Sequence, residues 1–406
     1  MIYPANFEEK IGFDRIREQV TALCSTPSAK AKLAEEGFST SADEIERRLS
    51  LMNEMRSLLM LERDFPDGDY PDPAPLVAKI RVEGSYLLAA EADQLRKALV
   101  TVGAIAEFIL GRGGARYPRL WELSRRVTLF PEIVRAIDAI LDDRGEVKDS
   151  ASPELQQVRR AIREREGQAA KRLQQVLQRA KQAGIVDADA VLSVRDGRSV
   201  IPVAAANKRK LQGFIHDESA TGRTFYVEPV EVVEINNELK ELEYAERREV
   251  VKVLSAFTES IRPDAEAIAD AGDYLSSVDM IRAKARWALA NDAGKPILST
   301  DDRLELRTAR HPLLQQTLRA QGREVVPLDL ALDRRKHILV ISGPNAGGKS
   351  VCLKTTGLMQ YLFQCGYPVP ASEVSELPVF RSIFIDIGDE QSIDDDLSTY
   401  SSHLRN

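Results

Sequence analysis

One segment restricts the fold more than any other: His337-Ile-Leu-Val-Ile-Ser342 runs without a break into Gly343-Pro344-Asn345-Ala346-Gly347-Gly348-Lys349-Ser350. The helically spaced Val351-Cys-Leu-Lys-Thr-Thr-Gly-Leu-Met-Gln360 follows directly. The octapeptide has the spacing G-x-x-x-x-G-K-[ST], in the strand, loop and helix context that this spacing requires of a P-loop. Composition makes the hexapeptide an expected buried strand. Glycines let the loop curl so that successive N–H groups face phosphate oxygens, and the following helix adds its positive N-terminal end. From there Lys349 is expected to reach the β- and γ-phosphates, and the Ser350 hydroxyl to ligate Mg²⁺. The motif alone leaves a kinase, a GTPase and an ABC-like ATPase open.

Length and composition bound the remainder. At about 100 to 200 residues per domain, 406 residues imply two to four domains. Aromatics are only 6% of the chain, which suits helices packed through Leu, Ile, Val and Ala. The net charge of −7 excludes a protein that coats nucleic acid with its whole surface, so any such contact must use local basic patches. There is no long apolar run, and the N-terminus carries acids where a signal peptide would be basic and then apolar; a cytoplasmic location is expected. Cys24, Cys352 and Cys365 form no CxxC pair and are odd in number, so buried reduced thiols are expected and neither a disulfide framework nor a zinc site.

Residues 1 to about 145 carry helical patterning broken by DFPDGDYPDPAP at 64–75 and GRGGARYP at 111–118. Leu95, Leu99, Val102 and Ile105, then Ile133, Ile137 and Ile140, have the spacing of helices with one buried face. Ser152-Pro153-Glu154 supplies an N-cap hydroxyl, a proline at the first helical position and an acid in the first turn, which predicts a long helix to about Ala183-Gly184. Between Glu154 and Gln182 this helix holds eight cations (Arg159, Arg160, Arg163, Arg165, Lys171, Arg172, Arg179 and Lys181) against three acids (Glu154, Glu164 and Glu166). Such a run is either a solvated face or a nucleic-acid-binding strip, with Arg159, Arg163 and Lys171 as candidate contacts.

From Val191 short β-like runs take over. VLSV and SVIPV flank Arg195-Asp196-Gly197-Arg198, a hairpin signal because both turn residues need positive φ, and GFIHD and TFYVEP extend a small antiparallel sheet. Lys208-Arg209-Lys210 falls between these runs, at an expected hairpin tip, and is the second candidate nucleic-acid contact. Helical patterning resumes near Val230, breaks at Pro263 and continues to about Asn291, after which Asp292-Ala-Gly-Lys-Pro296 reads as a linker. The expected layout is a helical lever over 1–150 and 251–291, a clamp over 151–250 with its β tip at about 190–228, and the N-terminal part of a P-loop domain over 292–406.

The C-terminal segment narrows the choice of P-loop protein. Leu397-Ser398-Thr399-Tyr400-Ser401-Ser402-His403 is small and hydroxyl-rich, follows the acidic stretch 389–396, and resembles the signature loop by which one subunit of an ABC-type dimer touches nucleotide held by the other. Added to this are ARHPLL at 309–314, VVPLDL at 325–330, ISGPNAGGKSVCLKTTGL at 341–358, PVPASE at 368–373 and IFIDIGDEQSI at 383–393. With VIPVAAANKRKLQGFIHDESATGRTFYVEP and the NNELKELE that follows, the whole chain resembles the second branch of the MutS family, bacterial MutS-like proteins without the mismatch-reading domain.

The resemblance implies a mainly α lever and clamp with a small antiparallel β tip, followed by an incomplete α/β P-loop domain of the ABC type. It implies an ATPase that works with ATP and Mg²⁺ as a homodimer with shared nucleotide sites. Family roles carry onto Asn345 and Lys349 as catalytic residues and Ser350 as the Mg²⁺ ligand, with the trans-acting signature on Ser398 and Thr399 and His311 near the adenine. This branch is associated with branched DNA and suppression of recombination, and some members with collided ribosomes, so structured DNA or the ribosome is the expected partner and a membrane is not. The chain starts directly in the lever, without a counterpart to the family's Phe-x-Glu mismatch wedge, so mismatch recognition is not expected. It stops at Asn406, and the Walker B strand, the switch histidine and the branch's small nuclease domain are expected beyond that point; alone, this chain is not expected to hydrolyse ATP. Ser382-Ile-Phe-Ile-Asp386 has the composition of a Walker B strand but is not given that role, because Gly388 stands only two residues after Asp386.

Overall fold

The computed structural model describes residues 1–195, 197–343 and 348–387. The chain is mainly helical, with three small sheets among the described residues. It opens with β1 (Ile2–Tyr3), α1 (Phe7–Ile11), α2 (Phe13–Ala22), α3 (Pro27–Glu35), α4 (Ala42–Leu61), α5 (Ala74–Ile80) and α6 (Ala89–Gly111). Next come α7 (Pro118–Ser124), α8 (Pro131–Ile140), α9 (Pro153–Gln182), β2 (Ser193–Arg195), β3 (Arg198–Ala204), β4 (Gly213–Glu218), β5 (Thr224–Pro229) and α10 (Val230–Ile261). The last part holds α11 (Ala265–Ala290), β6 (Ile297–Leu298), β7 (Leu304–Ala309), α12 (Pro312–Ala320), β8 (Leu328–Leu332), α13 (Lys349–Gln364), β9 (Glu376–Leu377) and β10 (Ile383–Phe384). No helix among the described residues is long and apolar enough to cross a membrane.

The chain divides into two compact units: Met1–Val77, Lys97–Phe130 and Glu266–Asn406 form one, Ala78–Arg96 and Pro131–Ala265 the other. In the first unit α11 lies between two apolar clusters. Ala283, Trp287 and Ala288 join Phe7, Phe13, Leu358 and Tyr361, whereas Tyr274, Leu275 and Val278 join Met55, Val102 and Ile105. From Tyr274 to Ala288 no residue of α11 is exposed, so this stretch shows no amphipathic stripe and its polar residues need partners inside the protein. Asp279 accepts from the Thr26 N–H at 2.8 Å, Arg282 donates to Asp279 at 2.8 Å and to the Gly68 carbonyl at 2.6 Å, and Lys284 pairs with Glu36. The Asp292–Pro296 stretch is no loose linker. Gly294 exchanges backbone hydrogen bonds with Val369 at 3.0 and 2.9 Å, and a Cβ there would lie 2.6 Å from an Arg56 nitrogen and 2.9 Å from Glu373. Burial holds the Cys24 and Cys365 thiols up at about 12, so both stay protonated.

The second unit is built on α9 and α10. The Ser152 Oγ caps α9 by accepting the Leu155 N–H at 3.0 Å, with Pro153 in the first turn, as the sequence predicts. The two helices run antiparallel, as the pairs Arg159–Glu246 at 2.7 Å and Arg165–Glu238 at 2.8 Å require. The sheet has the order β2-β3-β5-β4, all antiparallel. Its inner face, with Ile201, Val203 and Val227, packs on Leu173, Val176 and Leu177 of α9. That strand order corrects one expectation. β5 lies between β3 and β4, so Lys208-Arg209-Lys210 sits in a crossover connection, and the hairpin tip is the 219–223 turn between β4 and β5. Composition marked the turn residues, but neighbour order is set by pairing over distance.

Candidate functional site

Helix α13 starts at Lys349, capped by Gly348 at φ 84°, a left-handed conformation that glycine adopts without steric cost. A Cβ built at Gly343 or Gly348 meets nothing within 4 Å among the described residues. The Lys349 ammonium donates to the Gly343 carbonyl at 2.5 Å. Ser350 is the second residue of the helix, the position from which its hydroxyl serves a metal beside phosphate in a P-loop. These groups fit a triphosphate with Mg²⁺. Pro344, Asn345, Ala346 and Gly347 lie outside the described residues, and so do Ser398 and Thr399.

The segment before the loop departs from expectation. His337–Ser342 forms no strand, and Ile338, Leu339 and Val340 are 76%, 50% and 83% exposed. A buried strand of a parallel sheet takes both hydrogen-bond rows and both apolar faces from neighbours, and no described element supplies them here. The sheet of this unit has the order β6-β9-β7-β8, with β8 at its edge. The Ile383–Phe384 strand stands outside it, paired in parallel with β1, and Asp386 is exposed.

His311 caps α12 through its backbone and sends its ring toward the N-terminal segment. Burial lowers its pKa to about 4, the Arg15 and Lys354 charges push the same way, and a hydrogen bond with the Ile11 backbone opposes them without prevailing. The ring is therefore neutral near pH 7, and its Nδ1 is buried without a hydrogen-bond partner.

Residues 339–406, which contain this loop and helix, match the family model of MutS domain V. The chain is 35% identical over 396 residues to endonuclease MutS2 of Bacillus velezensis, a match covering 97% of this chain and 49% of that protein. It is 36% identical to endonuclease MutS2 of Thermomicrobium roseum over 406 residues, again 97% of this chain and 50% of the other. The putative endonuclease MutS2 of Bacillus subtilis matches at 34% over 396 residues, covering 97% and 49%. The chain belongs to the MutS2-type family. It spans about half the length of the curated relatives it matches.

In this MutS2-type chain the cationic helix α9 is of two kinds. Its first half is neutralised from within: Arg159 pairs with Asp149 at 2.8 Å and Glu246 at 2.7 Å, Arg160 with Glu164 at 3.0 Å, Arg163 with Asp149 at 3.0 Å, and Arg165 with Glu238 at 2.8 Å. From Gly167 to Val186 there is no acid. Lys171 and Arg172 are exposed without an ion-pair partner among the described residues, and Arg179 meets Glu231 only at 3.7 Å. Gln168, Gln174, Gln175, Gln178 and Gln182 share their face, which is roughly 21 Å long at about 1.5 Å per residue. Lys208, Arg209 and Lys210 are exposed as well, and the Asn207 amide donates to the Ile185 carbonyl at 3.0 Å, tying this segment to the end of α9. Lys208 also lies 4.4 Å from the centre of the Phe225 ring. The structure thus separates Lys171 and the 208–210 cluster, which are free to meet a ligand, from Arg159, which is committed internally.

One polar cluster had no sequence signal. Glu228 is 1% exposed and accepts from Arg198 at 2.8 Å on both oxygens, from Asn236 at 2.6 Å, and meets His216 Nε2 at 2.6 Å. It joins β3, β4, β5 and α10 through one carboxylate.

Proposed function

We propose that this chain is the nucleotide-binding and nucleic-acid-gripping part of a MutS-type ATPase, in which ATP with Mg²⁺ sets the grip on branched or otherwise structured DNA. The observation that carries the reading is the Gly348-capped α13 with Lys349 and Ser350 at its start, inside the segment that matches MutS domain V. Lys349 leaves the Gly343 carbonyl for the triphosphate, Ser350 holds Mg²⁺, and the residues from Gly343 to Gly348, Asn345 among them, line the phosphates. Ser398 and Thr399 act on the site of a second copy, which makes the working form a homodimer, and neutral His311 flanks the base. Residues 1–150 and 251–291 act as lever, 151–250 as clamp and 292–406 as the nucleotide-binding part.

The grip is assigned to Lys171, Arg172 and Arg179 with Lys208, Arg209 and Lys210. Long amide and cationic side chains without carboxylates suit a phosphate backbone, where contacts position without reading sequence. Endonuclease is part of the relatives' names; no residue of this chain is assigned to phosphodiester cleavage. The test is equilibrium binding of a fluorescent ATP analogue with Mg²⁺, then of labelled branched DNA and of ribosomes in one buffer. Nucleotide binding abolished by Lys349→Ala, with salt-dependent DNA binding, supports the reading. Nucleotide binding unchanged in that variant overturns it, and a preference for ribosomes moves the grip to structured RNA.

A further inference from the structure

Residues 1–12 touch three parts of the unit that carries the P-loop. The first is α13: Phe7 packs on Tyr361 with ring centres 5.1 Å apart, and the Tyr361 hydroxyl donates to Glu8 at 2.6 Å. The second is the 383–387 stretch. β1 pairs with it in parallel, the Ile383 and Ile385 N–H groups donate to the Met1 and Tyr3 carbonyls at 3.1 and 3.0 Å, and the Lys10 ammonium donates to the Ile387 carbonyl at 3.0 Å. The third is the His311 region, where a Cβ on Gly12 would lie 2.9 Å from Leu313 and 3.8 Å from the His311 ring.

The N-terminal segment and the 383–387 stretch both come near one point of α13. Gly357 has no side chain, and its missing Cβ would stand 3.7 Å from both Ile11 and Ile385. This point of the helix therefore faces the N-terminal segment and the 383–387 stretch together, two turns beyond Lys349, across a gap that a methyl group would fill. The contacts that can carry a shift of α13 are the Phe7–Tyr361 packing and the Tyr361–Glu8 hydrogen bond, which reach residues 1–12, and the β1 pairing, which passes it to 383–387.

We propose that residues 1–12 are a positioning strap for the nucleotide site, through which occupancy of the P-loop and the order of residues 383–387 are coupled, with Lys10 and Glu8 as its anchoring residues. The proposal rests on the nucleotide-binding reading above. When a triphosphate draws Lys349 off the Gly343 carbonyl, the start of α13 moves, and the strap carries that movement to the Ile383 and Ile385 amides. Coupling is reciprocal, so loosening the strap weakens nucleotide binding by the factor by which nucleotide tightens the strap.

Amide hydrogen exchange on the full chain, with and without a fluorescent ATP analogue and Mg²⁺, tests this. In the wild-type protein, nucleotide is expected to slow exchange at Ile383 and Ile385 by about fivefold or more, the lower end of usual coupling. Lys10→Met is expected to lose that protection and to bind the analogue about fivefold more weakly. Lys10→Arg, which keeps a donor for the Ile387 carbonyl, restores both. Wild-type protein that binds the analogue yet exchanges Ile383 and Ile385 at one rate with and without it overturns the strap and leaves the nucleotide site standing. This comparison involves no variant, so misfolding has no part in it. Wild-type protein that binds no nucleotide overturns both.

Discussion

Replacing Lys171, Arg172 and Arg179 together with Gln removes three positive charges from the acid-free half of α9 and leaves the inner face, with Leu173, Val176 and Leu177, unchanged. If each of these cations neutralises one phosphate of a duplex, each releases about 0.9 counterion, and the slope of log K against log salt falls in magnitude by about 2.7. At about 0.1 M salt that corresponds to roughly 2.7 decades of affinity, or about 3.7 kcal/mol. The companion variant Arg160→Gln, Arg163→Gln and Arg165→Gln removes the same charge from the same helix. Its cations, however, already face Glu164, Asp149 and Glu238 at 3.0, 3.0 and 2.8 Å. A cation held by a carboxylate has fewer counterions to exchange, so the second triple should change the slope by less than about one unit. Fluorescence anisotropy with labelled branched DNA from about 50 to 300 mM salt measures both. Equal slope changes in the two triples would show that net charge, and not the unpaired face, governs binding. An unchanged slope in the first would remove α9 from the interface.

Four further outcomes are expected. Lys349→Ala weakens binding of an ATP analogue at least tenfold in a fluorescence titration, because no other residue of the loop brings positive charge to the phosphates. Gly357→Ala raises stability by about 0.5–1 kcal/mol in a denaturant melt, since the added methyl meets Ile11 and Ile385 at an ordinary 3.7 Å and glycine is a poor residue for a helix interior. Glu228→Ala costs the second unit about 3 kcal/mol, the loss from stranding the partner of a buried ion pair. Burial pushes the Glu228 carboxyl up, but the bonds from Asn236, His216 and Arg198 outweigh it and hold the pKa below the ordinary 4.5. A depressed carboxylate stabilises the fold above pH 4.5 and loses that contribution as pH falls through its folded pKa, so the melting-temperature gap between wild type and Glu228→Gln should close on acidification below 4.5. A gap that widens there would refute the assignment.

Much of this chain was legible because its signals are local. The cap at Ser152 and Pro153, the turn at Gly197 and the break at Pro263 each act within a few residues, and α9, the β2–β3 hairpin and the α10–α11 junction start and stop where those residues direct. The same holds for Gly348, whose left-handed conformation starts α13 at Lys349 without help from distant chain. Which cations of α9 are spent on internal pairs was not legible, because Asp149, Glu238 and Glu246 reach them only once α10 lies antiparallel alongside. Likewise Lys208-Arg209-Lys210 left the hairpin tip because β5 inserts between its neighbours, and His337–Ser342 has the composition of a buried strand without described neighbours to bury it. Sequence by itself determined where helices begin and where turns fall, both set by the conformational preferences of a few adjacent residues. Tertiary structure alone decided which charges remain free, which strand lies beside which, and that residues 1–12 meet Tyr361, Gly357 and Ile387, since pairing over hundreds of residues depends on how whole elements pack and not on any local preference.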